Sequence, residues 1–178
     1  LDAIDSDAKR IGAVNVVKIS KDKSSTGFTL TGFNTDTTGF TESLRPFIGS
    51  GLKNALVLGS GGAAKAVGHG LTTMGIRPTF VSRRPTDHQI GYSQLTPELI
   101  RSFNIIVNAT PLGTYPDIET SPEIPYEALS SAHICFDLVY NPAKTRFLQL
   151  AENKGATIIN GLKMLHIQAE EAWKIWNT

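Results

Sequence analysis

The chain alternates short apolar runs with longer stretches in which apolar residues recur every three or four positions. The short runs predict strands and the spaced stretches predict helices, because the two structures differ in their side-chain period. From residue 56 onward the two kinds of segment alternate, which predicts an α/β fold with a doubly wound, mostly parallel sheet. The predicted strands are 13–19, 28–33, 56–58, 79–81, 104–107, 133–138 and 157–159.

The first third of the chain predicts part of a second sheet. Residues 1–10 have the pattern of a helix already in progress, and strands 13–19 and 28–33 predict a hairpin with its turn at 20–27. A hairpin alone is only marginally stable in water. We therefore expect the chain to begin inside a domain whose earlier part is absent.

Four helices are indicated by their caps or their apolar spacing. Asp36 is placed as the N-cap of the first, whose apolar face carries Leu44, Phe47 and Ile48, and residues 49–51 follow as a linker. Thr96 and Pro97 mark the start of another helix, and Gly155 ends one predicted over 143–154. The last helix has an apolar stripe that we expect to be packed, formed by Leu165, Ala169, Ala172, Trp173 and Trp176.

A glycine-rich turn follows the strand 56–58 and leads into a helical pattern. A helix start has unpaired N–H groups and a partial positive charge, so it favours an anion. Gly59 permits the tight turn, Gly61 lets a pyrophosphate approach the backbone, and Ala64 allows close packing of helix on strand. The candidate phosphate-binding residues are Gly59, Ser60, Gly61, Gly62 and Ala63. The alternative is a tight turn that binds nothing.

Two arginines follow the next strand, where this kind of fold contacts the adenosine ribose. Ser82, Arg83 and Arg84 offer positive charge and forked donors suited to a ribose 2′-phosphate, which favours NADP over NAD. The alternative is a pair of solvated arginines, and Asp87 nearby weakens the preference for NADP.

The remaining candidate residues come after later strands. In a parallel sheet the loops at the carboxyl ends of strands face the ligand crevice. Asn108, Ala109 and Thr110 stand in one such loop, and Leu138 ends the strand before another. Asn108 and Thr110 could instead simply order a turn that contains proline.

Composition narrows the class of partner. The 17 basic and 16 acidic residues are interspersed and give a net charge of +1, without the basic stripe that binds nucleic acid. No run has the length of a membrane span, and the first residues lack the layout of a signal peptide. Cys135 is the single cysteine, in an apolar setting that predicts a buried, inert thiol and a reducing, cytoplasmic location. The four histidines have no metal-ligand spacing, so no metal is expected.

Seven short stretches follow one another along the chain: IGAVN (11–15), GFNTD (32–36), GSGGAAKA (59–66), SRR (82–84), NATPLG (108–113), DLVYNP with Thr145 (137–145) and GLKMLHIQA (161–169). In this order and with these separations they resemble the shikimate dehydrogenase family from one end of the chain to the other. Each stretch alone is common, but the ordered set is specific.

The resemblance implies an oxidoreductase that catalyses the reversible NADP-linked reduction of 3-dehydroshikimate to shikimate, a step of aromatic amino-acid and chorismate biosynthesis. It implies a Rossmann-like domain and the remnant of an α/β substrate domain. Asp36 matches the family's catalytic carboxylate, and the substrate-contacting residues are Asn15, Asp36, Tyr140 and Gln168. Gly161 and Met164 flank the nicotinamide, Thr110 lies on the cofactor side, and Ser82 and Arg83 lie at the adenosine phosphate.

The chain also departs from the family pattern. Family members usually have asparagine at the position of Ser82 and often have a basic residue at that of Asp87. The family's GxNVTxPxK stretch, whose lysine pairs with the catalytic aspartate, does not occur in this sequence. Asp36 alone is a poor proton donor, so we expect this chain to bind cofactor and to turn over slowly or not at all.

We divide the chain into 1–50, the end of a substrate-binding domain, 51–160, an NADP-binding domain, and 161–178, a helix that packs back toward the first part. Exposed hairpin edges and the tryptophans of the last helix make a homodimer possible. Two other functions stay open. One is a non-catalytic dinucleotide-binding module, and the other is an NAD-linked quinate/shikimate dehydrogenase.

Overall fold

The computed structural model describes residues 1–21, 27–49 and 51–178. The strands are β1 (Ala3–Ile4), β2 (Val16–Lys21), β3 (Phe28–Phe33), β4 (Asn54–Leu58), β5 (Arg77–Ser82), β6 (Gln89–Gly91), β7 (Ile105–Asn108), β8 (Ile134–Asp137) and β9 (Thr157–Ile159). The helices are α1 (Ser6–Ile11), α2 (Asp36–Leu44), α3 (Gly62–Thr73), α4 (Pro97–Arg101), α5 (Arg146–Glu152) and α6 (Leu162–Trp176). No helix in these ranges combines the length and apolar character needed to cross a membrane.

Six strands form one sheet in the order β6-β5-β4-β7-β8-β9, and all of its pairings are parallel. Alternate residues of the central strand β4 face opposite layers. Leu56 and Leu58 join the core beneath α4 and α5, whereas Ala55 and Val57 join the core beneath α2, α3 and α6. A parallel sheet needs apolar cover on both faces, so these two cores confirm the predicted doubly wound α/β fold.

The first part of the chain forms a three-stranded sheet in the order β1-β3-β2. The hairpin of β2 and β3 is confirmed, with Val16 opposite Phe33 and Lys21 opposite Phe28. The helix predicted over residues 1–10 is wrong in its first half, because Ala3 and Ile4 pair with β3 and Asp5 caps α1. Residues 22–26 of the predicted turn and residue 50 of the predicted linker lie outside the described residues.

Two other predicted boundaries need correction. The strand predicted from residue 13 begins at Val16, since Gly12 ends α1 in a left-handed conformation with φ 70°. The helix predicted from residue 143 begins at Arg146, since the hydroxyl of Thr145 caps it by accepting from the N–H of Leu148. Strand β6 is a finding of the structure alone.

The predicted apolar stripe of α6 is confirmed at Ala172 and wrong at Ala169, Trp173 and Trp176. Met164 and Ala172 are its buried residues, while the side chains of Trp173 and Trp176 are 66% and 54% exposed. The face that packs against α2 instead carries Met164 and Gln168, which lie against Gly39.

Helix α2 connects the two sheets, because it follows β3 directly and packs against both α3 and α6. Phe40 and Leu44 place its apolar face in the core beneath α3, and both side chains are fully buried. The boundaries predicted at residues 50 and 160 stay predictions.

Substitution of Gly161 by alanine tests how the start of α6 is positioned. A Cβ atom at Gly161 would lie 2.1 Å from the carbonyl oxygen of Leu138, although the glycine itself has an ordinary φ of −75°. The backbone must shift to relieve this overlap, so we expect Gly161→Ala to lower the free energy of unfolding by about 2 kcal/mol or more. Urea unfolding measures the change.

Gly49→Ala is the matched control, because a Cβ at that position meets nothing within 4 Å. Equal stability of the two variants would contradict the packing constraint at Gly161.

Candidate active site

The first cleft lies at the carboxyl ends of β4, β5 and β7 and has a volume of about 1240 Å³. Its walls come from the glycine-rich turn, the loop after β5, the loop after β7 and the segment 120–123. It is lined by Gly59, Ser60, Gly61, Val81, Ser82, Arg83, Arg84, Tyr92, Ala109, Thr110, Pro111, Leu112, Thr120, Ser121 and Glu123.

The glycine-rich turn leaves the start of α3 open toward this cleft. Gly59 has φ +121°, and a Cβ there would lie 2.9 Å from the carbonyl oxygen of Ala109, so glycine serves both the turn and the close approach of two loops. A Cβ on Gly61, the N-cap, would meet nothing within 4 Å. Because no described side chain caps α3, its first N–H groups remain available, and the turn fits a pyrophosphate.

Serine hydroxyls hold the loop after β5, which carries Arg83 and Arg84, through hydrogen bonds. The Ser82 Oγ accepts from the N–H of Arg84 at 3.2 Å and lies 3.4 Å from the Ser60 Oγ, which connects this loop to the glycine-rich turn. Arg83 and Arg84 are exposed, and neither forms an ion pair with another described residue. Their positive charge is therefore free to meet an anionic group.

The second cleft, of about 360 Å³, lies between the α2 start, α6 and the loop after β8. Residues from five separate stretches of the chain converge on it. The lining consists of Asn15, Asp36, Ala63, Leu138, Tyr140, Gly161, Met164, Leu165 and Gln168. Ala63 stands in the first turn of α3, so the second cleft adjoins the helix that opens toward the first.

A hydrogen-bond network fixes the polar side of the second cleft. Asn15 Nδ2 donates to Asp36 Oδ1 at 2.8 Å, and Asn15 Oδ1 accepts from the N–H of Thr35 at 2.9 Å. Thr35 Oγ1 lies 3.4 Å from Gln168 Oε1, to which it can donate. Burial raises the pKa of Asp36, and the hydrogen bond from Asn15 opposes that rise.

The capping role predicted for Asp36 is wrong. Thr35 is the N-cap of α2, and Asp36 is its first helical residue. The side chain of Asn34 instead accepts from the N–H of Asp36 at 3.1 Å, so the Asp36 carboxyl group is left for Asn15 and the cleft.

The structure distributes the candidate residues between the two clefts. Eight of the predicted cofactor residues line the first: Gly59, Ser60, Gly61, Ser82, Arg83, Arg84, Ala109 and Thr110. The four predicted substrate residues line the second, together with Ala63, Leu138, Gly161 and Met164. Gly62 and Asn108 line neither cleft, and Asn108 is fully buried behind the first one. The roles of all these residues stay predictions.

Sequence reasoning missed part of the first cleft. Tyr92, Ser121 and Glu123 line it, but they stand in a short 3₁₀ turn and an irregular segment without a motif that points to a site. It also missed Asp137, a fully buried carboxyl group that accepts from Asn108 Nδ2 at 3.0 Å. Among the described residues no group of three or more His, Cys, Asp or Glu could hold a metal ion.

The strand order and the open glycine-rich turn at the sheet crevice are typical of the doubly wound class of dinucleotide-binding folds. No protein-family model matches the chain. The chain is 38% identical over 191 residues to the shikimate dehydrogenase (NADP(+)) of Methanococcus maripaludis, an alignment that covers 99% of this chain and 66% of the relative.

Solved structures agree with this similarity. The shikimate 5-dehydrogenase from Thermus thermophilus, in complex with NADP(H) and shikimate, has a TM-score of 0.80 and 37% identity, covering 99% of this chain and 66% of that one. The quinate dehydrogenase from Corynebacterium glutamicum, in complex with NAD, has a TM-score of 0.81 and 26% identity, with 99% and 66% coverage. The chain belongs to the shikimate dehydrogenase family, and it spans 66% of the length of the first curated relatives that it matches.

The burial of Asp137 predicts that the free energy of unfolding depends on pH. Burial raises its pKa from 3.8 to about 6, although hydrogen bonds from Thr145, Val139 and Asn108 oppose the rise. The folded state therefore holds the Asp137 proton more tightly than the unfolded state does. As pH rises from about 4 to about 6, the wild type should lose stability relative to Asp137→Asn, by on the order of 3 kcal/mol.

Urea unfolding across this pH range measures the difference. Cys135→Ala is the control from the same strand, because burial raises the pKa of that thiol to about 12 and keeps it neutral throughout. A difference between wild type and Asp137→Asn that is constant with pH, or that changes in the other direction, would contradict the raised pKa.

Proposed function

We propose that this chain binds NADP(H) and takes part in the reversible reduction of 3-dehydroshikimate to shikimate. The observation that carries the proposal is the second cleft, where Asn15, Asp36, Tyr140 and Gln168 meet beside the start of α3. These side chains offer amide, hydroxyl and carboxyl groups, as recognition of a polyhydroxylated ring requires. The relatives named as NADP-dependent shikimate dehydrogenases and the complex with NADP(H) and shikimate support the same reaction.

In this proposal the first cleft binds the phosphates of the cofactor, and the second cleft binds the substrate. The α3 start receives the pyrophosphate, and Arg83 and Arg84 receive the 2′-phosphate of NADP. When bound, the cofactor supplies the hydride. Asp36 and Asn15 hold the hydroxyl group at the reacting carbon, and Gly161 and Met164 form the wall that would border the nicotinamide.

The test combines binding and turnover with the purified chain. We expect the chain to bind NADPH, measured by fluorescence titration, and to form reduced cofactor from NADP and shikimate only slowly, because oxidation of the hydroxyl releases a proton and a carboxyl group such as Asp36 is a weak base toward an alcohol. Absence of binding to both cofactors would overturn the proposal. Binding of NADPH without any binding of shikimate would favour the non-catalytic module, and a preference for NAD would favour the NAD-linked quinate/shikimate dehydrogenase.

The arginines provide the matched variants for this test. Arg83→Ala should weaken NADP binding about tenfold or more and leave NAD binding unchanged, since a charge-assisted hydrogen bond contributes about 1.5–3 kcal/mol. Arg77→Ala is the control, because Arg77 is exposed at the opposite end of β5. An equal effect of Arg83→Ala on both cofactors would contradict selection through the 2′-phosphate.

The surroundings of the one thiol support a reducing setting for the proposed reaction. Cys135 is fully buried in the core beneath α4 and α5, and burial raises its pKa to about 12. A thiol in that state is unreactive. A cytoplasmic location is part of the proposal for this reason.

We also propose that the chain associates with a second copy of itself. Trp173, Trp176, Val17 and Ile19 are 66%, 54%, 40% and 65% exposed, and the Trp176 Nε1 donates to the carbonyl oxygen of Val17, so the end of α6 meets β2. Apolar surface of this kind favours association. Sedimentation should detect a dimer, which Trp173→Glu weakens and Lys163→Glu, at another exposed position of α6, leaves intact. A monomer at every concentration would overturn this part of the proposal.

A further inference from the structure

Asp137 occupies the boundary between the two clefts without lining either. It is the last residue of β8, is fully buried, and stands beside Asn108, the last residue of β7, in the parallel register. A buried carboxylate is costly unless it accepts several hydrogen bonds. Its contacts therefore show which neighbouring segments it holds.

One carboxyl group accepts from three different segments. Oδ1 accepts from Asn108 Nδ2 and from the N–H of Val139, both at 3.0 Å, and Oδ2 accepts from Thr145 Oγ1 at 2.5 Å. Thr145 in turn caps α5 by accepting from the N–H of Leu148 at 3.3 Å. These three donors are uncharged, so hydrogen bonds and not ion pairs hold the carboxylate in place.

The Asn108 side chain extends this arrangement into the wall of the first cleft. Asn108 Oδ1 accepts from the N–H of Thr110 at 3.0 Å and from Thr110 Oγ1 at 2.6 Å. Thr110 Oγ1 also accepts from the N–H of Leu112 at 3.3 Å, so the loop that lines the cleft closes around it. Asp137 thereby acts on Thr110 through Asn108.

The Val139 contact extends the arrangement to the second cleft. The carbonyl oxygen of Val139 accepts from the N–H of Gly161 at 3.2 Å, and its neighbours Leu138 and Tyr140 line that cleft. Gly161 is the N-cap of α6, which carries Met164 and Gln168. Movement of Val139 would therefore move both the loop and the start of the helix.

We propose that Asp137 is a positioning residue that fixes the wall of the first cleft at Thr110 relative to the wall of the second at Leu138 and Tyr140. The inference rests on the proposed function, because it assigns these walls to one cofactor and one substrate that must meet. Asp137 acts through Asn108, Val139 and Thr145, and it touches neither ligand.

Hydrogen exchange of the free chain and NADPH titration test the proposal together. In Asp137→Ala, we expect the amides of Thr110, Leu112 and Val139 to exchange at least about tenfold faster, while Val57 in the centre of the sheet keeps its protection. We expect NADPH binding to weaken about tenfold. Asp137→Asn keeps an acceptor for Asn108 and Val139. In this variant the amide exchange rates and the NADPH affinity should therefore stay within about twofold of wild type.

Two further variants separate positioning from general stability. Thr145→Val keeps the volume of that side chain but removes both a donor to Asp137 and the cap of α5, so it should produce a smaller loosening at Val139 than Asp137→Ala does. Cys135→Ala, on the same strand but in the core beneath α4 and α5, should leave the three amides and NADPH affinity unchanged.

Unchanged exchange at the three amides in Asp137→Ala and Thr145→Val would overturn the proposal. Loosened loops with unchanged NADPH affinity, or an equal loss of protection throughout the sheet in Asp137→Ala and Cys135→Ala, would also overturn it. A wild-type chain that binds no NADPH would overturn the proposed function, whereas the exchange rates would still decide whether Asp137 holds the two loops.

Discussion

The close approach of α2 to α6 is the constraint on which the second cleft depends. A Cβ at Gly39 would lie 2.7 Å from the carbonyl oxygen of Met164 and 3.1 Å from the Gln168 Cβ, so the two helices pack closely only because residue 39 has no side chain. Asp36 lies one turn before Gly39 on α2. The glycine therefore determines how near Asp36 comes to Gln168, although it takes no part in the chemistry.

The two clefts arise from different physical rules. The first follows from topology, because parallel strands place the ends of β4, β5 and β7 at one edge of the sheet. The second requires Asn15, which precedes β2, to meet α2 and α6 through side chains far apart in the sequence. The hydrogen bonds among Asn15, Thr35 and Asp36 hold this meeting together, and they connect the small sheet to the helix that packs on the large one.

These rules explain which features the sequence could predict. The parallel, doubly wound sheet and the succession of strand, tight turn and helix around Gly61 follow from local patterns, and those predictions are confirmed. Strand β6 has three residues and ends in Gly91, so its pattern is too short to be detected. Asp36 satisfies the local rule for an N-cap, but its carboxyl group instead accepts a hydrogen bond from Asn15, which lies 21 positions away in the sequence. Neither this contact nor the burial of Asp137 has a local signature in the sequence.

The charges along the clefts also differ in a way that suits two kinds of ligand group. Positive charge is concentrated in the first cleft, where Arg83 and Arg84 are exposed and the α3 start is open. The second cleft contains the half-buried Asp36, whose pKa burial raises. Anionic groups are favoured by the first environment and disfavoured beside a carboxylate. The phosphates of the proposed cofactor are therefore favoured in the first cleft over the second.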